Sequence, residues 1–169
     1  MNKLLSFTIV TLLILTGSNS IAQFFGDWFV GDKPGQYHYA ITINDSGAVL
    51  GQYCFPSGNC VWLVAMSARC NEGDQYPILA NSDAGAAHLA IQCNGQLENG
   101  LYRYVFTDFD LVDSTMKKGS LVGFAIPLDQ DQFRVVRFRL NGVKSALATM
   151  QSRVEKGGLS PTSTRDQTF

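Results

Sequence analysis

From Phe24 to Leu140 the sequence runs as short apolar or alternating segments cut by turn-forming clusters, a rhythm that only a β-rich fold accommodates. DWFV (Asp27 to Val30) reads as a short strand closed by the loop Gly31-Asp32-Lys33-Pro34-Gly35. YHYAITI places Tyr37, Tyr39, Ile41 and Ile43 on one face and His38, Ala40 and Thr42 on the other. The NDSG cluster at 44–47 turns the chain into AVLGQYC, so residues 37–54 form a hairpin. CVWLVAM (60–66) is apolar throughout, the pattern of a strand buried on both faces. YPILANS (76–82) and AHLAIQC (87–93) pair across Asp83-Ala84-Gly85. Pro77 has no ladder donor, which confines it to a strand start or an edge. LYRYVF, LVGFAIPL and FRVVRFRL complete the series.

The period then changes. In NGVKSALATMQSRVEKGG, Val143, Ala146, Leu147, Met150 and Val154 recur at helical spacing, with Asn141 placed to cap the start and Gly157-Gly158 to end the run. The expected fold is mainly β: a single antiparallel β sandwich or barrel with one C-terminal amphipathic helix at 141–156. The domain spans 23–156, and 157–169 (GGLSPTSTRDQTF) forms a flexible tail with little to bury.

The first 22 residues belong to a different class. Lys3 precedes an apolar run from Leu4 to Leu15, interrupted by Ser6, Thr8 and Thr11, and Ser20-Ile21-Ala22 makes a small-x-small cleavage site. These features define a secretory signal peptide with Gln23 as the mature N-terminus. The run is shorter than the roughly 20 residues a membrane-crossing helix needs, so no membrane attachment is expected after cleavage. The formal net charge of −1 becomes one unit more negative without Lys3. Such a balance disfavours nucleic acid as a partner, since phosphate binding requires a basic excess.

All four cysteines, Cys54, Cys60, Cys70 and Cys93, lie beyond the leader. An even number in an oxidising periplasmic or extracellular space reads as two disulfides. Of the three possible connectivities, Cys54–Cys60 with Cys70–Cys93 is favoured, because the turn in CFPSGNC brings its ends together across a hairpin. On the loop-entropy argument the short loop contributes about 2.4 kcal/mol and the longer about 3.5 kcal/mol. The C-x5-C spacing and the isolated His38 and His88 do not resemble a zinc site, and no C-x-x-C redox motif is present. No metal or cofactor is expected.

Three clusters carry reactive side chains. Ser82, Asp83 and His88 are the residue types of a hydrolase triad, set against the simpler reading of a hairpin turn. Asp108, Asp110 and Asp113 are paired carboxylates that suit glycoside chemistry or calcium, set against an exposed turn. Arg134, Arg137 and Arg139 share one strand; strict alternation sets Arg134 on the face opposite Arg137 and Arg139, whereas a bulge near Val135-Val136 would turn all three outward as a binding face, set against a solvated strand face balanced by nearby acids. Tyr37, Tyr39, Tyr53, Trp62, Tyr102, Tyr104 and Phe106 read chiefly as core, whereas an exposed Tyr/Phe row would mark a binding face.

FAIPLDQDQFRVVRFRLNGVKSALATM, with Trp28 in GDWFV and Gly142 ahead of SALATM, resembles the end of the invasion-associated locus B family of exported bacterial proteins. The resemblance covers mainly residues 122–150. WFVGDKPG lacks the cysteine that commonly follows the family's N-terminal Trp. The resemblance implies a periplasmic or secreted β-rich protein, with some members linked to host-cell invasion and no established catalytic residues.

Together these readings lead to an exported, non-catalytic interaction protein on a disulfide-pinned β scaffold. Its partner is expected to be another protein or a cell-surface glycan, met by the hairpin tip Phe55-Pro56-Ser57 and by Arg134, Arg137 and Arg139. The alternative is a secreted or periplasmic inhibitor of a host or competitor enzyme such as a lysozyme or protease. A hydrolase ranks third.

Overall fold

A computed structural model describes residues 22–127 and 133–157; the leader and nearly all of the tail lie outside the described residues. Ten strands precede or separate two helices: β1 Gln23–Phe25, β2 Trp28–Lys33, β3 Tyr37–Ile43, β4 Val49–Cys54, β5 Cys60–Met66, β6 Gln75–Ser82, β7 Gly85–Gln96, β8 Tyr102–Phe106, α1 Phe109–Lys118, β9 Leu121–Pro127, β10 Phe133–Arg139 and α2 Val143–Gly157. The strands form one sheet in the order β1-β2-β3-β4-β5-β8-β7-β6-β9-β10, antiparallel at every pairing.

The expected β architecture with a C-terminal helix is present, but the sheet is a single unclosed layer. Its last strand is instead tied back to the first hairpins by isolated bonds. Trp28 Nε1 donates to the Arg139 carbonyl (3.0 Å), Asn44 Nδ2 to that of Arg137 (3.1 Å), and the Asp27 amide to that of Asn141 (3.1 Å). Gly142 sits in this seam with φ +91°, and a Cβ there would collide with the Phe25 carbonyl. Only glycine permits both the conformation and the approach.

Strand alternation sorts the side chains. Trp28, Val30, Ala40, Leu50, Trp62, Val64, Tyr104, Phe124 and Phe138 point to the inner face and are buried. Trp28 meets Trp62 edge to face at 6.1 Å, and Phe106, Phe124 and Phe138 follow one another at 5.3 and 6.2 Å. Helix α2 closes this face over β2 and β3, burying Val143, Ala146, Leu147 and Met150, with Val154 packed at the margin. Each large aliphatic side chain so removed from water contributes roughly 2 kcal/mol.

Two local expectations change. The segment TDFDLVDS is no exposed turn: it opens helix α1, with Asp108 as N-cap accepting from the Leu111 amide at 2.9 Å. Its Val112 and Met116 reach the core, and the fully buried Gln52 bonds to Asp113 at 3.2 Å. Pro77 lies in an interior strand, yet β9 reaches β6 only between Leu79 and Ser82. The proline therefore still faces an open edge on that side.

Candidate interaction surface

The hairpin tip forms locally. Cys54 and Cys60 stand opposite each other in the β4–β5 ladder, 4.0 Å apart at Cα, and are disulfide-bonded. The Phe55 amide bonds to the Asn59 carbonyl and the Gly58 amide to the Phe55 carbonyl, both at 2.9 Å. Phe55, Pro56 and Ser57 are all exposed on this pinned turn.

Phe55 is the end of a longer feature. On the outward face of β1 to β4, six rings follow one another without a gap. Phe24 meets Phe29 at 5.8 Å, Phe29 meets Tyr39 at 6.1 Å, and Tyr39 meets Tyr37 and Tyr53 at 6.1 and 5.9 Å. Tyr37 meets Tyr53 at 5.5 Å and Phe55 at 6.4 Å. Two glycines level the surface. A side chain at Gly31 would occupy the place of the Tyr39 ring, and one at Gly51 that of Ile41. Phe24 is 73% exposed and Phe55 38%, and the rings between them are half-buried against one another.

Crowding shows in the acidity of the row. Burial pushes the Tyr53 hydroxyl up to about 12, with Tyr37 and Tyr39 adding to the rise and Arg103 opposing it. In the core, burial likewise raises Tyr104 to about 12. An unfolded chain ionises these phenols near 10.0, so their contribution to stability is complete below pH 10.0 and is lost as pH climbs toward about 12. Alkaline titration of phenolate absorbance should show Tyr53 and Tyr104 ionising late. Tyr53→Phe should remove one of the two; if no tyrosine lags, the packing of the row is wrong.

The arginines do not form the expected common face. The β10 ladder runs without interruption from Phe133↔Pro127 to Arg139↔Leu121, with no bulge at Val135-Val136. Strict alternation keeps Val136 and Phe138 in the core, so Arg137 and Arg139 face outward while Arg134 turns inward beyond the core's edge. There Arg134 Nη1 donates to Ser67 Oγ at 2.6 Å. Leu79, Leu121 and Val135 line an exposed apolar groove beside Arg137, and Phe133 is exposed on the same strand as Val135.

The acidic and triad residues have other partners. Ser82 Oγ donates to the Gly85 carbonyl at 3.0 Å and accepts from the Ala84 amide at 3.2 Å. Asp83 accepts from the Ser120 amide and hydroxyl at 2.8 and 2.6 Å, bonds that hold its carboxyl below the usual range. His88 pairs with Leu79, three ladder positions from Ser82. That offset puts it roughly 10 Å away on the opposite face of the strand pair. Asp108 caps α1, and Asp113 holds Lys117 at 2.6 Å.

No family model matches the chain, and neither does any curated protein. A solved structure does. The crystal structure of invasion associated protein B from Bartonella henselae superposes with a TM-score of 0.59 at 14% identity, covering 81% of this chain and 99% of that one. The two share a fold. The likeness is one of fold, and it covers far more of the chain than residues 122–150. Among the described residues no helix is long and apolar enough to cross a membrane.

Proposed function

We propose that this chain is an exported, non-catalytic interaction protein, periplasmic or secreted, whose outward aromatic row docks a protein partner. The row itself carries this reading: six mutually packed rings occupy a sheet face where water would otherwise be met by polar side chains. Buried Tyr and Phe anchors dominate protein interfaces, and a surface already braced by its own neighbours loses little freedom on binding. Neighbouring rings are inclined by 30° to 89°. This corrugated relief suits interdigitating side chains better than the flat stacking of a sugar. The two disulfides support export, because such bonds persist in oxidising spaces. The fold shared with an invasion associated protein supports a role at the cell exterior.

Affinity capture from host-cell surface and secreted fractions, read against variants at both ends of the row, tests the proposal. Phe55→Ala and Phe24→Ser should each weaken the captured partner by about 2 kcal/mol, roughly thirtyfold, while leaving the melting curve in place. A partner held equally well by both variants rules out the row as its dock.

A further inference from the structure

Past the last core ring, the inner face of the sheet opens into a cleft of about 820 Å³, between the segment after β5 and the ends of β6, β8, β9 and β10. Small-ligand sites have this size. Its walls are braced. The Cys70–Cys93 disulfide ties the segment after β5 to β7, and the Tyr104 hydroxyl donates to the carbonyls of Ala68 (2.9 Å) and Arg69 (3.3 Å). The carboxylate of Asp74 is already engaged, accepting from Asn71 Nδ2 at 3.1 Å and from the Tyr76 hydroxyl at 3.3 Å.

The guanidinium of Arg134 stands differently. It is half-buried and held by a neutral hydroxyl, that of Ser67. Among the described residues, no carboxylate lies within ion-pair distance of it. Arg69 lines the same cleft. Among the described residues the charged groups of the walls are Arg69, Arg134 and the already engaged Asp74. An apolar ligand would desolvate these groups without partnering them. A pyranose fits better: its apolar face can pack on tyrosine rings, and its hydroxyls can meet the second oxygen of the Asp74 carboxylate, which Asn71 and Tyr76 leave open. A carboxylate on the sugar would take the forked donors of Arg134.

From this arrangement we infer that the cleft binds an acidic oligosaccharide, with Arg134 receiving the sugar carboxylate. The site lies apart from the aromatic row, so it stands or falls independently of the proposed protein partner.

Calorimetric titration of the leader-free chain at physiological salt, with hyaluronan tetrasaccharide and with neutral chitotetraose, tests the inference. The acidic sugar should bind about tenfold tighter or more and weaken as salt is raised. Arg134→Ala should lose about tenfold of that affinity with little change in melting temperature, and Arg134→Lys should recover part of it. Should Arg134→Ala fold poorly, Arg134→Gln, which keeps a donor for Ser67, replaces it with the same expected loss. Equal affinity for the two sugars, no binding of the acidic one at millimolar concentration, or Arg134 variants that bind like the parent each overturn the inference. Loss of capture by Phe55→Ala with sugar binding intact would separate the two surfaces.

Discussion

Trp28→Ala should lower stability by about 4 kcal/mol, which in a domain of this size moves the melting temperature down by roughly 15 °C. Three losses coincide at this position. The indole is wholly buried, it packs edge to face on Trp62 at 6.1 Å, and its Nε1 donates across the open seam to the Arg139 carbonyl at 3.0 Å. Trp28→Phe separates the terms: it keeps a ring in the core and removes the bond, leaving a carbonyl without its partner at a cost of roughly 2 kcal/mol. Thermal melts of the two variants give the comparison. An alanine variant that melts within a few degrees of the parent would show that the seam is held by something other than this side chain.

The second large effect belongs to the longer disulfide. Cys70 and Cys93 are 23 residues apart in sequence and 6.0 Å apart at Cα. Replacing both with serine frees the unfolded chain and should cost about 3.5 kcal/mol, against about 2.4 kcal/mol for the Cys54/Cys60 double serine variant, whose loop is shorter. Urea denaturation should show this order together with a steeper denaturant dependence, because the uncrosslinked unfolded state exposes more surface. The reverse order would mean that the tip disulfide supports the native hairpin directly. The Cys70/Cys93 variant should also loosen the 67–74 segment, visible as faster amide exchange there.

The strand series was legible because alternation and turn chemistry are local. The β3–β4 hairpin, the β6–β7 pair and the stripe of α2 all lie where residue spacing put them. Helix α1 escaped because its core contact is thin: only Val112 and Met116 are buried, in a segment dense with Asp. A signal was there nonetheless, in Asp108 as a cap, Asp110 in the first turn, and Lys117 and Lys118 in the last.

The aromatic row shows why a face cannot be assigned from its pattern alone. On β3, hydrophobicity favours the tyrosine and isoleucine face as the buried one. Instead Ala40 and Thr42 are turned inward, at 0% and 2% exposure. Helix α2 packs over β2 and β3, and small side chains let it approach closely; the bulky rings are left outside to cover one another. The separation of Arg134 from Arg137 and Arg139 has a similar origin, since a regular ladder with β9 imposes alternation on all three.

Sequence alone determined the elements that depend on neighbours along the chain: strands, tight turns, the final helix, and a cysteine set suited to an oxidising space. Tertiary structure decided what depends on residues far apart. It chose the face each strand shows to water, gathered rings from β1 to the β4–β5 tip into one row, and set Ser67 against Arg134 at the mouth of a cleft. The reason is physical: periodicity says that a strand has two faces, but only the element packed against it determines which of them is the inside.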